Sequence, residues 1–228
     1  MVHLGTAQVA LLAAAGFMAG AVNAVAVVPG YVGGSLAYRH ELEGQGRRVA
    51  ALGATSVVGA VLGAWLLIAT PGQVFERVVP FLILFSCALL ALEPAISRRL
   101  SPTSGERPAH RSLGLHAGQL ASSVYGGYFG AGLGILLLAV LGLGLRDDLH
   151  RLNALKGALS LVVGVASAVY FALFGPVGWP AVAIMVLASL VGGQVGVTVV
   201  RRVPPATLRW LVVAVGVVVS GVLFLRVA

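Results

Sequence analysis

The sequence predicts an all-α membrane protein of about seven or eight transmembrane or re-entrant segments, arranged as two inverted repeats. Three observations carry that expectation. The 228 residues are 59% hydrophobic and 10% charged, whereas a soluble domain carries about 25% charged residues. Eleven of the 15 Lys and Arg residues gather in four short polar loops between apolar stretches. Two stretches far apart in the chain also share one register of Ser, Gly and Pro.

The opening segment, "MVHLGTAQVALLAAAGF", lacks the positive region that precedes a cleaved signal and stays apolar to Val28. It reads as a retained membrane segment. Residues 49–69, 78–96, 181–200 and 208–225 each meet the roughly 20 apolar residues that a span requires. Residues 152–174 also do so, although they contain Lys156. Residues 113–145 are too long for one span. As a single helix they would extend about 50 Å, against a hydrocarbon core of about 30 Å.

The loop charges decide how 113–145 is divided. Arg39, Arg47 and Arg48 share one loop, and Arg98, Arg99, Arg107 and Arg111 another. Arg146 and Arg151 flank "DDLH", and Arg201 and Arg202 precede "VPP", whereas "TPGQVFER" and "GPVGWP" hold only Arg77 between them. Lys and Arg mark cytoplasmic loops, so loops 39–48, 97–111, 146–151 and 201–207 are expected inside, and 70–77 and 175–180 outside. The chain must then enter the membrane and return between residues 111 and 146. Gly126, Gly127, Gly130, Gly132 and Gly134, within "SSVYGGYFGAGLGILLL", lie where that return falls. Glycine in a helix interior costs roughly 0.5–1 kcal/mol relative to alanine. The run is therefore expected to be a break between two segments or the tip of a re-entrant hairpin.

The repeat follows from "SVVGAVLGAWLLIATP" (56–71), which aligns without gaps to "SLVGGQVGVTVVRRVP" (189–204). Ser56, Gly59, Gly63 and Pro71 correspond to Ser189, Gly192, Gly196 and Pro204, and Asn23-Ala24 corresponds to Asn153-Ala154. By the loop charges the two copies run in opposite directions, as in the inverted repeats of many secondary transporters. The expected organisation is a first membrane repeat at 1–96, shortened at its start, a cytoplasmic basic loop at 97–111 and a second membrane repeat at 112–228. The glycine pairs 59/63 and 192/196 are small-xxx-small motifs expected to pack helices.

Composition excludes several functions. The formal charge of +8 resides in loops with no basic stripe interleaved with aromatics, so nucleic acid is not an expected partner. Cys87 is the single cysteine and reads as apolar filler. The membrane positions offer serines and one lysine, but no nucleophile–base pair or metal cluster, so neither an enzyme nor a cofactor is expected. The glycine run matches no nucleotide fingerprint.

What remains is a site for a small anion. Broken helices in transporters aim N-terminal amides at anionic substrates, and such termini bind anions without a cationic side chain. The candidate substrate-binding residues are therefore Gly126, Gly127, Gly130, Gly132, Gly134, Asn23, Asn153 and Lys156. Two readings stand for Lys156, a contact to the anion and a side chain snorkelling to the cytoplasmic surface. Asn23 and Asn153 either hydrogen-bond a substrate oxyanion or join helices. His116 reads as interfacial, Glu93 as a helix-end residue, and Asp147 with Asp148 as a solvated pair.

The run from "YGGYFGAGLGI" through "RLNALKGALSLVVG" to "ASLVGGQVG" resembles the sulfite-exporter family of membrane permeases, the TauE/SafE type. The first half, "NAVAVVPGYVGGSLAYRHEL" followed by "GAVLGAWLLIATPGQVFERVVPFLIL", is similar to that family's first repeat. Here it passes from "AAAGFMAG" almost directly to "AVNAVAVVPGYVGG", without the family's usual glycine-rich turn. The resemblance implies a secondary carrier of sulfite, organosulfonates or related anions, acting as an exporter. It further implies a multi-pass location in the inner (cytoplasmic) membrane, with a small anionic substrate and the lipid bilayer as partners. A coupling proton or sodium ion, and a homo-oligomer, stay open. The alternatives are a carrier of another small organic anion, or an accessory or scaffold subunit that does not itself transport.

Overall fold

The computed structural model describes residues 28, 40–99, 111–145, 147–175, 177–188 and 204–227. After a short 3-10 turn at His40–Leu42 come α1 (Gly46–Ala69), α2 (Gly72–Arg99), α3 (Arg111–Tyr128), α4 (Leu133–Gly144) and α5 (Leu149–Phe174). They are followed by α6 (Trp179–Ala188) and α7 (Pro205–Val227). The described residues form helices and no strands.

Among the described residues, four helices are long and apolar enough to cross a membrane: Gly46–Ala69, Gly72–Arg98, Leu149–Phe174 and Ala206–Leu225. The most apolar windows of the first and third are 44% buried, and those of the second and fourth 11%. Thus α1 and α5 lie centrally, while α2 and α7 pair at the periphery. Phe81, Phe85, Trp210 and Leu211 on the peripheral pair are exposed, as suits helices facing lipid.

Residues 113–145 divide as the charge pattern requires, into α3, a four-residue turn and α4. The 12 residues of α4 extend about 18 Å, too short to span a core of about 30 Å. A short helix at that depth has to be covered by protein. Leu133, Leu137, Leu138 and Leu141 accordingly sink into a cluster with Leu152, Leu155, Leu159 and Val163 of α5 and with Leu52 and Ala60 of α1. The α3–α4 unit is a hairpin whose short arm lies in the protein interior.

Glycine allows α1 and α3 to approach closely. A Cβ at Gly59 would stand 2.6 Å from Ser123 Cβ and 2.8 Å from the Leu120 carbonyl oxygen. One at Gly63 would run into the Val124 carbonyl, and one at Gly127 into the Ala60 carbonyl. Gly59 and Gly63 therefore pack helices as the motif requires. Ser56 joins the same interface, accepting a 2.7 Å hydrogen bond from Gln119 Nε2 where both residues are fully buried.

Polar contacts join two of the basic stretches, around 45–48 and 147–151, at one end of the bundle. Gln45, just before α1, donates to the Arg151 carbonyl at 3.4 Å, and Asp147 bridges Arg48 at 2.6 Å and Arg151 at 3.2 Å. Asp147 is thus not the solvated residue its position between arginines suggests, since it ties the start of α1 to the start of α5. Asp148 caps α5, accepting from the His150 amide. At the opposite end Phe171 packs with Ala64 and Leu67, flanked by Tyr128 and Phe75. The second copy of the repeat, at 189–203, and the expected membrane segment before Val28 lie outside the described residues.

Candidate functional site at the glycine break

Gly130 and Gly132 form the turn between α3 and α4 with φ of +79° and +78°, a conformation other residues reach only at a cost of roughly 1–2 kcal/mol. Side chains clasp the turn. Tyr125 Oη donates to the Ala131 carbonyl at 2.6 Å, and Ser86 Oγ of α2 reaches the same oxygen at 3.1 Å and the Tyr125 hydroxyl at 2.7 Å. The Gly130 carbonyl accepts from the Leu133 amide, and the Gly132 carbonyl from Ile135 and Leu136. The turn thus satisfies many of its own donors; the amide of Gly134 is not among them.

Beside the turn lies a cavity of about 350 Å³ lined by Gly132, Gly134, Ile135, Leu138, Leu149, Asn153, Lys156, Glu93 and Ser97. At roughly 30 Å³ per water, it has room for a small hydrated ion. Lys156 is seven residues into α5 and Glu93 six residues before the end of α2, each about 10 Å from its helix end. Lys156 Nζ donates to Asn153 Oδ1 at 2.8 Å, and Asn153 Nδ2 donates to the Leu149 carbonyl at 3.0 Å. Asn153, anchored to its own helix, holds the ammonium against the cavity wall. Among the described residues Asn153 is the one hydrogen-bond acceptor for the ammonium, which leaves two protons for a ligand.

The candidate residues divide at this point. Gly132, Gly134, Asn153 and Lys156 line one cavity. Gly126 and Gly127 belong to α3, where a Cβ would meet Leu133 and Val163 or the Ala60 backbone respectively. Gly130 makes the turn without lining the cavity. Asn23 lies outside the described residues.

Sequence reasoning missed Glu93. Read as a helix end because Pro94 follows, it instead lies within α2, which runs through Pro94 to Arg99. Pro94 only removes the amide that would bond the Leu90 carbonyl. One Glu93 oxygen, Oε2, accepts from Arg209 Nη2 of α7 at 2.6 Å, and the other, Oε1, from Ser97 Oγ at 3.2 Å. The signal was present: Glu93 is the one acidic residue between positions 78 and 96, and an ionisable residue within a span is a functional candidate by default.

A polytopic α-helical membrane protein, with a broken hairpin and a charged cavity opening beside the break, is the class that these features define. The profile of the family described as Sulfite exporter TauE/SafE matches residues 4–223. The chain belongs to that family, a family of membrane transporters. Searches of curated proteins and of solved structures return no match.

Proposed function

We propose that this protein is a secondary carrier of small sulfur-containing anions, such as sulfite or organosulfonates, that exports them across the cytoplasmic membrane. The observation that carries the reading is the cavity at the glycine break, where Lys156, Asn153, Gly132 and Gly134 meet. A lysine about 10 Å inside its helix, held by an amide side chain, supplies a cation and directed donors in a medium where both are costly to leave unmatched. Charge-assisted hydrogen bonds of roughly 1.5–3 kcal/mol each suit a compact oxyanion. An inside-negative potential favours outward movement of an anion by about 2.3 kcal/mol per charge per 100 mV. Two inverted repeats, 1–96 and 112–228, would supply the rocking halves of such a carrier.

The test is flux in liposomes containing only the purified full chain, for sulfite, sulfoacetate, sulfate and a neutral solute. Sulfite or sulfonate should move and the neutral solute should not. Lys156→Gln removes the charge but keeps a donor, and should weaken anion affinity by roughly 10-fold or more, the equivalent of one charge-assisted hydrogen bond. Wild-type protein that moves none of the anions would refute the carrier reading.

A further inference from the structure

We propose that Glu76 and Arg226 form a second ion pair across α2 and α7, the mate of Glu93–Arg209 in the inverted repeat, and that the two pairs are made alternately as the halves rock. The inference rests on the carrier reading above for its purpose, and on contacts between the two helices for its geometry. The helices run antiparallel, with Glu93 against Arg209 at one end and Pro80 against Ser220 further along. Cys87 Sγ of α2 donates to the Val213 carbonyl of α7 at 3.9 Å, and Ser220 Oγ of α7 donates to the Pro80 carbonyl of α2 at 3.0 Å. The shift of 133 that carries Ser56 to Ser189 and Pro71 to Pro204 also carries Pro80 to Val213 and Cys87 to Ser220. The two hydrogen bonds are therefore one contact, exchanged by a two-fold axis between the helices. That axis passes by Ile83 and Gly216, which the same shift exchanges. The helices approach closely there: a Cβ at Gly216 would run into Cys87 Sγ and stand 3.6 Å from Ile83 Cγ2.

Applied to the ion pair, the shift takes Arg209 to Glu76 and Glu93 to Arg226. The acidic residues of α2 are Glu76 and Glu93, and the basic residues of α7 are Arg209 and Arg226. One register thus matches all four, acid on α2 to base on α7 both times. Glu76 is the fifth residue of α2 and half-buried, and among the described residues it has no ion-pair partner. A carboxylate in that position is costly to leave unmatched. Phe81 packs edge-on against Phe224 at 4.9 Å, so the helices are still in contact as α7 nears Arg226.

A carrier built from inverted repeats changes the side it faces when its two halves exchange conformations. That exchange keeps the contacts on the axis and swaps those at the two ends. The structure has Glu93–Arg209 made, at 2.6 Å. In the exchanged state this pair parts and Glu76–Arg226 closes. Each pair lies about 13 Å along the helices from the axis, so a tilt of about 10° parts it by about 2 Å. Because one pair is made as the other breaks, much of the cost of parting is offset, and neither state is trapped. Ile83 and Gly216 are the fulcrum, and the four charged residues set the balance between the two states.

The experiment uses the full chain with Cys87→Ser, which installs the residue found at Ser220, together with Glu76→Cys and Arg226→Cys. In liposomes a short bifunctional methanethiosulfonate should join the two cysteines, as read by intact mass. Adding Arg209→Gln, which breaks the pair with Glu93, should raise the rate of joining roughly tenfold, the equivalent of one charge-assisted hydrogen bond. Arg209→Lys keeps a cation and should bring the rate back toward its starting value. Circular dichroism and size-exclusion chromatography verify that each variant is folded. Sulfite flux should stop in the joined protein and return when a reductant removes the bridge. Failure to join, an unchanged rate in Arg209→Gln, or flux that survives the bridge overturns the inference. The joining rates need no transport, so wild-type protein that moves no anion overturns the carrier reading and leaves those rates to decide the pairs.

Discussion

Replacing glycine by alanine at three positions of the break should give opposite outcomes within eight residues of chain. Gly127→Ala drives a methyl into the Ala60 carbonyl, a rigid backbone group on α1. The α1–α3 interface has to part to admit it, and overpacking of this kind costs typically 1–3 kcal/mol. Gly132→Ala meets only ordinary contacts, with Leu89 Cδ1 3.5 Å away, but retains a φ of +78°, for roughly 1–2 kcal/mol of strain. Gly134→Ala is helical, and its methyl would stand 3.8 Å from Lys156 Cδ. Alanine there relieves up to about 0.5–1 kcal/mol of the glycine cost. Unfolding of the purified variants by titration with SDS, followed by circular dichroism, should therefore rank Gly134→Ala at or above wild type, Gly132→Ala below it and Gly127→Ala at or near the bottom. Gly127→Ala as stable as Gly134→Ala would refute the close approach of α1 and α3, and with it the separation of packing glycines from cavity glycines.

Two further outcomes are expected. In a Cys87→Ala background, Glu43→Cys should react with an impermeant thiol reagent only after the membrane is opened, and Gln73→Cys in intact cells; the reverse pattern would invert the assigned orientation. Tyr125→Phe removes the hydroxyl's hydrogen bonds to the Ala131 carbonyl, 2.6 Å, and with Ser86, 2.7 Å, but leaves Ser86 on the same carbonyl, so SDS titration should show a loss of at least roughly 0.5–1.5 kcal/mol. No change would mean that Ser86 alone holds the turn.

Much of the architecture is legible in one dimension because the bilayer is a one-dimensional constraint. Apolar run length sets where a helix can span, and the position of Arg and Lys sets which loops are retained inside. These two rules alone divide residues 113–145, whose length fits no single span, and place the turn among the glycines where the structure has it. The Gly59/Gly63 motif is equally readable, since small residues four apart on a helix can only serve a close approach or a break.

The site is legible only in part, because a cavity is decided by the rotation of each helix about its own axis and by which helix it meets. Five glycines in one run look alike in sequence, but the turn at 129–132 leaves Gly126 and Gly127 against neighbouring helices and brings Gly132 and Gly134 to the cavity. Glu93 and Arg209 are 116 residues apart, and no local pattern links them. They meet because α2 and α7 pack together. The sequence by itself determined the class of protein, the long helical segments among the described residues and the location of the break, through composition and periodicity that act along the chain. Only the tertiary structure decided which of the polar groups share a cavity, since burying a charge requires a partner and that partner here comes from another helix.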